Sequence, residues 1–181
     1  MAQKKNESYI RRLHRARLPA GTIELAKYLI GKTLVHDTRA GRVSGRIVET
    51  EAYVVGDAAG HAYPGLTPRN KPLFLDRGHA YVYRAYGLHF LVNVSSEVRG
   101  VGAGVLLRAL EPLDGIELMR LHRPHAPLID LARGPGRLTE AMSIGPQHDG
   151  VDLCGASPLW LGDSVRPAGK IGRSVRIGIS R

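Results

Sequence analysis

The chain has 181 residues, of which 26 are Lys or Arg and 16 are Asp or Glu, giving a formal net charge of +10. That length fits one domain with a real hydrophobic core and leaves little room for a second, while the basic excess is what a polyanion binder carries, or a protein that meets acidic partners. One cysteine, Cys154, excludes an internal disulfide framework and a zinc finger; no stretch approaches the ~18 apolar residues of a membrane span, and residues 1–17 lack the apolar core of a secretory signal, so the composition predicts a soluble protein kept inside a reducing compartment.

Residues 1–17 carry Lys4, Lys5, Arg11, Arg12, Arg15 and Arg17 against Glu7 and read as a basic N-terminal arm, mobile or a frayed helix, that can touch phosphates or serve only solubility. The domain proper is expected over 18–181. Thr22 is placed to cap a short helix with Leu25, Tyr28 and Leu29 on one face and Gly31 at its left-handed end. Thr33 to His36 reads as a strand, 37–41 as turn chemistry, and 42–53 as a returning strand, so the segment predicts a hairpin.

That returning strand contains Gly45-Arg-Ile-Val-Glu-Thr-Glu-Ala-Tyr53. Alternate residues of a strand share a face, so Glu49 and Glu51 are expected to point the same way among apolar neighbours, where a carboxylate is costly unless partnered. They form either a solvated strand face or the acids of a site. Residues 54–77 follow with Gly56, Asp57, Gly65, Pro68 and Asn70, a long irregular connection of the kind that is functional or disordered; leaving from the carboxylate strand, it is expected to fold back over a site, with His61 lining a pocket or lying on the surface.

Residues 80–94 read as two strands with Tyr86-Gly87 at the turn. Tyr81 and Tyr83 share a face, and at least one of them is expected in the core. An aromatic beside a turn glycine, in a basic protein, is a candidate wedge between base steps. Asn93, flanked by valines, needs hydrogen-bond partners from the backbone or from a ligand. Arg108 interrupts the apolar strand 105–110; a guanidinium there wants a carboxylate fork, with Glu49 and Glu51 as the natural partners, in a site or in a plain ion pair. Asp114 and Glu117 have capping-box spacing before a helix ending short of Pro124. Arg133-Gly134-Pro135-Gly136-Arg137 is a Gly/Pro turn opening another helix, where backbone N–H groups can meet a phosphate. Short strands and turns make up the remainder, without repeats or a domain linker.

Six ordered motifs, namely Gly45 to Tyr53, Thr67-Pro-Arg-Asn70, Tyr81-Val-Tyr83 with Tyr86-Gly87, Asn93-Val-Ser-Ser96, Leu106-Leu-Arg-Ala-Leu-Glu-Pro112 and Gly134-Pro-Gly136, resemble the alkyladenine (3-methyladenine) DNA glycosylases over about 18–178. The resemblance implies an α+β fold, a single domain with a curved, mostly antiparallel sheet and peripheral helices. It implies excision of alkylated or deaminated purines, of the 3-methyladenine, ethenoadenine and hypoxanthine type, from double-stranded DNA, with no metal or other cofactor; a monomer without a membrane partner is expected. The expected location is cytoplasm or nucleoid in a bacterium and nucleus in a eukaryote. By that likeness Glu51 positions and deprotonates the attacking water and Arg108 helps hold it; Tyr53, His61 and Tyr83 enclose the flipped base; Asn93 excludes the exocyclic amine of guanine; and Tyr86 is the intercalating residue. Arg69, Arg133, Gly134, Gly136 and Arg137 are the candidates for contacts with the DNA backbone.

The sequence departs from the family in two places. Leu88-His89 follows Gly87 where eukaryotic relatives carry a methionine and an aromatic, and relatives continue past Arg176-Ile-Gly-Ile-Ser into a strand bearing an aromatic and an arginine, so 174–179 is expected as a strand with an uncovered edge where relatives cover theirs, blunted by the charges of Arg173, Arg176 and Arg181. Chemically, loss of a purine leaves oxocarbenium character on the sugar, which calls for a carboxylate beside the water. No lysine is placed by these motifs as an amine nucleophile, so water attack without strand cleavage is expected. A nucleic-acid-binding module without chemistry accounts for charge and tyrosines but not for Glu51 opposite Arg108. A hydrolase of small nucleosides or sugars accounts for the carboxylates but not for the basic arm or Tyr86.

Overall fold

The turn chemistry at 37–41 produces the expected hairpin, strand β1 (Thr33–Thr38) returning as β2 (Gly41–Tyr53) with Thr38 opposite Gly41. In this computed structural model, which describes residues 10–85 and 87–176, the hairpin is part of one six-stranded sheet, with β2 toward its centre and β1 next to one edge strand. The remaining strands are β3 (Ala80–Ala85), β4 (His89–Ser95), β5 (Gly104–Pro112) and β6 (Leu159–Gly162), in the spatial order β3-β4-β5-β2-β1-β6 with every neighbouring pair antiparallel. Among the described residues three α-helices, α1 (Thr22–Leu29), α2 (Ile116–His122) and α3 (Pro135–Ala141), complete the α+β fold expected from the sequence. Among the described residues no helix is long and apolar enough to cross a membrane.

The helices cover one face of the sheet. Leu25 and Leu29 of α1, Met119 of α2 and Leu138 of α3 are fully buried against Ile47, Val94, Val105, Leu107 and their neighbours, the main core from which the hydrophobic effect draws most of the fold's stability, while Ile10, Val35 and Trp160 form a smaller cluster of their own. Two compensating irregularities shape the centre of the sheet. Ile47 pairs with Leu110 and Glu49 with Ala109, leaving Val48 as an extra residue in β2; Thr50 then pairs with Leu107, leaving Arg108 as an extra residue in β5. Each such bulge reverses the alternation of side chains along its strand. Ile47 therefore joins the helix-covered core with Leu107 and Leu110, while Glu49 and Glu51 share the opposite face.

Several local expectations are corrected. Thr22 is the first residue of α1 rather than its cap: Gly21 holds that position at φ 87°, and the Thr22 hydroxyl bonds Ser96 Oγ at 2.9 Å and Glu97 Oε1 at 2.8 Å. The capping box at Asp114 and Glu117 does not form. Asp114 instead accepts from the Ser44 hydroxyl at 2.6 Å, Glu117 pairs with Arg120 at 2.9 Å, and Gly115 precedes α2 in the left-handed region, where a β-carbon would stand 2.3 Å from the Arg42 carbonyl. Residues 174–176 carry no strand, and the rest of the strand expected there lies outside the described residues.

The part of the basic arm that is described, 10–17, is docked. Ile10 and Leu13 are buried, and Arg12 bridges to Gly162 at the outer side of β6. The Arg12 guanidinium bonds the Gly155 carbonyl at 2.6 Å and lies 4.3 Å from the Trp160 ring centroid. Arg15 pairs with Asp152 at 2.6 Å and Arg17 with Asp163 at 2.9 Å. Asp163 also receives Lys32 Nζ at 2.8 Å and the Ser164 N–H at 2.8 Å, contacts that hold its carboxyl far below the usual carboxylate range.

Candidate active site

Pairing across the sheet places Tyr81 opposite Asn93, Asn93 opposite Leu106 and Leu106 opposite Glu51. Directly opposed residues share a face, so these four side chains form one row across β3, β4, β5 and β2, on the face the helices leave free. Glu51, only 7 % exposed, is at the inner end of that row. Its Oε2 accepts from Arg108 Nη1 at 2.6 Å and its Oε1 accepts from the Tyr53 hydroxyl, so both oxygens are fixed. Arg108 also donates from Nε to Glu49 Oε1 at 2.8 Å, which makes Glu49 the outer, solvent-exposed member of the pair and Arg108 the fork between them. Burial opposes the Arg108 charge, yet the bonds and fields of Glu49 and Glu51 outweigh it and raise its pKa. Burial, then the hydrogen bond to Glu51, pushes the Tyr53 phenol well above its ordinary range, so it remains a donor.

Beside Tyr53 the sheet face opens into a pocket of about 420 Å³, counting the open space at its mouth. Tyr53, His61, Tyr83 and Asn93, the four residues expected around a base, all line it, together with Tyr81 and the neighbouring loop residues Ala59, Gly60 and Ala62. Tyr81 is buried and stacks on Tyr83 with ring centroids 5.2 Å apart; His61 packs edge-on against Tyr83 at 4.3 Å, and its Nδ1 shares a 2.8 Å hydrogen bond with the Tyr81 hydroxyl. The imidazole keeps solvent access on its outer side. Its partial desolvation, with the field of Arg69, lowers its pKa, while burial raises the Tyr81 phenol to about 12. Asn93 is 6 % exposed and its amide nitrogen has no hydrogen-bond partner among the described residues. Space in front of it depends on Gly104, where a β-carbon would stand 2.7 Å from Leu73 Cδ2 and 3.8 Å from Asn93 Cβ.

Glu51 and Arg108 do not line that pocket. They line the adjoining groove, whose far wall is the extended segment 170–176, and the Tyr53 side chain joins the two spaces. Among the phosphate candidates, Arg69 does not line the pocket but lies beside one of its walls, its guanidinium 6.0 Å from the Tyr83 centroid. Gly134, at φ 116°, precedes α3, and Gly136 in its first turn approaches so near His89 of β4 that a β-carbon would stand 2.9 Å from His89 Cβ. Arg133 and Arg137 flank that turn, exposed. Tyr86 lies outside the described residues; its neighbour Gly87 has φ 69°, as the turn requires.

Sequence reasoning missed what shapes the 54–77 connection. Asn70, 2 % exposed, donates from Nδ2 to the carbonyls of His61 and Gly65, both at 2.8 Å, and accepts from the Thr67 N–H at 2.7 Å. Read only as a turn former, it is the staple that carries His61 to the pocket; an asparagine next to Thr-Pro-Arg was the available signal. Also missed was Arg176, which forks onto Asp57 at 2.5 and 3.1 Å. Among the described residues no group of three or more His, Cys, Asp or Glu side chains is arranged to hold a metal ion.

Residues 17–181 match the family model for methylpurine-DNA glycosylase. Similar proteins include one of Mesorhizobium japonicum, 62 % identical over 167 residues that cover 92 % of this chain and 80 % of the relative, and one of Paraburkholderia phytofirmans, 53 % identical over 178 residues that cover 98 % and 84 %. A third, from Chlorobaculum tepidum, is 49 % identical over 163 residues covering 88 % and 78 %; all three bear the name "Putative 3-methyladenine DNA glycosylase". With a match along nearly its whole length, the chain belongs to the methylpurine-DNA glycosylase family.

Proposed function

We propose that this protein is a monofunctional DNA glycosylase of base excision repair that hydrolyses the N-glycosidic bond of alkylated or deaminated purines in duplex DNA, with 3-methyladenine, ethenoadenine and hypoxanthine as the lesion types. The observation that carries the reading is the Glu51 carboxylate, held at both oxygens by Arg108 and Tyr53 beside an aromatic pocket. The damaged nucleotide is turned out of the helix, at a cost of a few kcal/mol that is smallest for a damaged or mispaired base, with Tyr86 filling the gap it leaves. Tyr53, Tyr83 and His61 enclose the base. Their ring faces favour a cationic alkylated purine by cation–π attraction.

The C1′–N bond then breaks with its electron pair leaving on the purine. A cationic purine departs neutral; a neutral lesion takes a proton or a hydrogen bond as it goes. Water attacks C1′ and passes a proton to Glu51, whose negative charge also stabilises the oxocarbenium character of the sugar. The product is an abasic site in an unbroken strand. Glu51→Gln is expected to keep binding to lesion duplex and to lose excision by several orders of magnitude, measured as alkali-labile abasic sites in duplexes bearing hypoxanthine or ethenoadenine. Turnover in the variant within tenfold of the parent would transfer the role of base to Glu49 or another group.

A further inference from the structure

We infer that Arg176 is a positioning residue for the hydrolytic step, acting on Glu51 through Tyr53 and itself held by Asp57. The inference rests on the reading of Glu51 as the group that activates water.

Four contacts converge on the Arg176 guanidinium. Nη1 and Nη2 fork onto the two Asp57 oxygens at 2.5 and 3.1 Å, Nη1 reaches the Ala52 carbonyl at 3.4 Å, and the cation lies 4.9 Å from the Tyr53 ring centroid. Asp57 is well covered, with 11 % of its side chain exposed against 31 % for Arg176, so the pair is less screened than an ordinary surface bridge. A bidentate fork fixes the plane of a guanidinium as well as its position. Here that plane is set against the ring whose hydroxyl donates to Glu51 Oε1.

Tyr53 has the last position of β2, where the sheet ceases to restrain it. Its ring is bordered by Gly60 of the connecting loop, where a β-carbon would come within 3.7 Å of Tyr53 Cδ1, and by Arg176. Without the cation the phenol gains rotational freedom, and one of the two donors fixing Glu51 loosens. Asp57 has a second bond, accepting at Oδ1 from the Ala59 N–H at 3.0 Å, and thereby ties the fork to the loop that carries His61. It also neutralises Arg176, which would otherwise present a net positive charge beside a pocket suited to cationic bases.

The test uses single-turnover excision and equilibrium binding on one lesion duplex. Arg176→Ala is expected to slow excision by roughly ten- to a hundredfold, the range set by small misplacements of a catalytic group, while leaving affinity for the duplex close to that of the parent. Asp57→Asn retains the oxygen that accepts from Ala59, loses the anion, and is expected to slow excision in the same range; it decides the matter if Arg176→Ala fails to fold. In a Tyr53→Phe background, which keeps the ring and removes the hydroxyl, Arg176→Ala should cost little more, because both changes break one chain of contacts. An unchanged rate in Arg176→Ala, in a protein that Glu51→Gln inactivates, would overturn the inference, as would losses that multiply with Tyr53→Phe. Weakened affinity with the rate constant intact would also overturn it and make Arg176 a DNA contact. Activity surviving Glu51→Gln, by contrast, would remove the underlying reading whatever Arg176 does.

Discussion

Ile47 and Glu51 lie on opposite faces of the sheet, although an even spacing along one regular strand would put them on the same face. The extra residue Val48 reverses the alternation between them, and the extra residue Arg108 restores register in β5 while aiming its guanidinium at Glu51. The paired bulges let one strand supply the core with isoleucine and the site with two carboxylates.

Deleting Val48 should therefore damage the protein far more than truncating it. Val48→Ala keeps the bulge at a position 42 % exposed and should change stability by no more than about 0.5 kcal/mol. Deletion forces either Ile47 out of the core or Glu51 into it, at a cost on the order of 3 kcal/mol or more. Urea unfolding of the two variants compares them. Similar midpoints would mean that the strand re-registers without penalty.

The uneven legibility of the sequence has the same origin. Alternation placed Glu49 and Glu51 together, the turn chemistry gave the β1–β2 hairpin, and apolar periodicity gave α1, because each is a local property. Bulges are not local: they exist only in the pairing of β2 with β5, and no residue type at 48 or 108 announces them. Asn70 was visible as a turn residue, but its partners at His61 and Gly65 depend on how the loop closes. Likewise Asp57 and Arg176, distant in sequence, meet only because 170–176 runs past the end of β2. The cap expected at Thr22 failed because tertiary partners, Ser96 and Glu97, claimed its hydroxyl.

A buried histidine pair should make the fold acid-sensitive. His36 Nε2 and His148 Nε2 are 3.2 Å apart; His36 Nδ1 is 2.8 Å from the Met142 carbonyl and therefore carries its proton there, while His148 Nδ1 accepts from the Gly145 N–H at 3.1 Å. The neutral pair is satisfied by one proton between the Nε2 atoms; a second would either crowd that contact or displace the Gly145 N–H from His148 Nδ1, where only the Gly145 carbonyl at 3.3 Å could accept it. Burial first, then the field of His36, lowers the pKa of His148. The unfolded chain thus binds more protons than the folded one just below the ordinary histidine value of about 6.5, so stability present above that pH falls as pH is lowered through it. Urea midpoints should drop between pH 7.5 and 5.5, and His148→Gln should flatten that slope; an unchanged slope would assign the acid sensitivity to other groups.

Asn93 is expected to trade stability against selectivity. A buried amide nitrogen without a partner costs roughly 1 to 3 kcal/mol, so its removal need not destabilise, whereas a ligand acceptor in the pocket would satisfy it. Asn93→Ser should melt at or near the parental temperature and raise excision from guanine-type substrates, for which the smaller side chain leaves room. Lowered stability with unaltered substrate preference would make Asn93 a structural residue.

The basic excess is not spread evenly, and the salt dependence of DNA binding should reveal which cations meet phosphate. Arg11, Arg17 and Lys32 all pair with Asp163, and Arg12 is committed to carbonyls and to Trp160, so these side chains already have partners within the fold. Arg69 beside Tyr83, Arg84 on β3 and Arg137 in the first turn of α3 make no ion pair among the described residues. Each phosphate neutralised contributes about −0.9 to the slope of log K against log[salt]. Replacing Arg69, Arg84 or Arg137 by alanine should therefore make that slope shallower by about one unit each, while Arg17→Ala should leave it unchanged. Equal effects from all four replacements would mean that the ion pairs open on binding and that net charge, rather than placement, sets affinity; a slope near zero for the parent protein on undamaged duplex would remove nucleic acid as its partner.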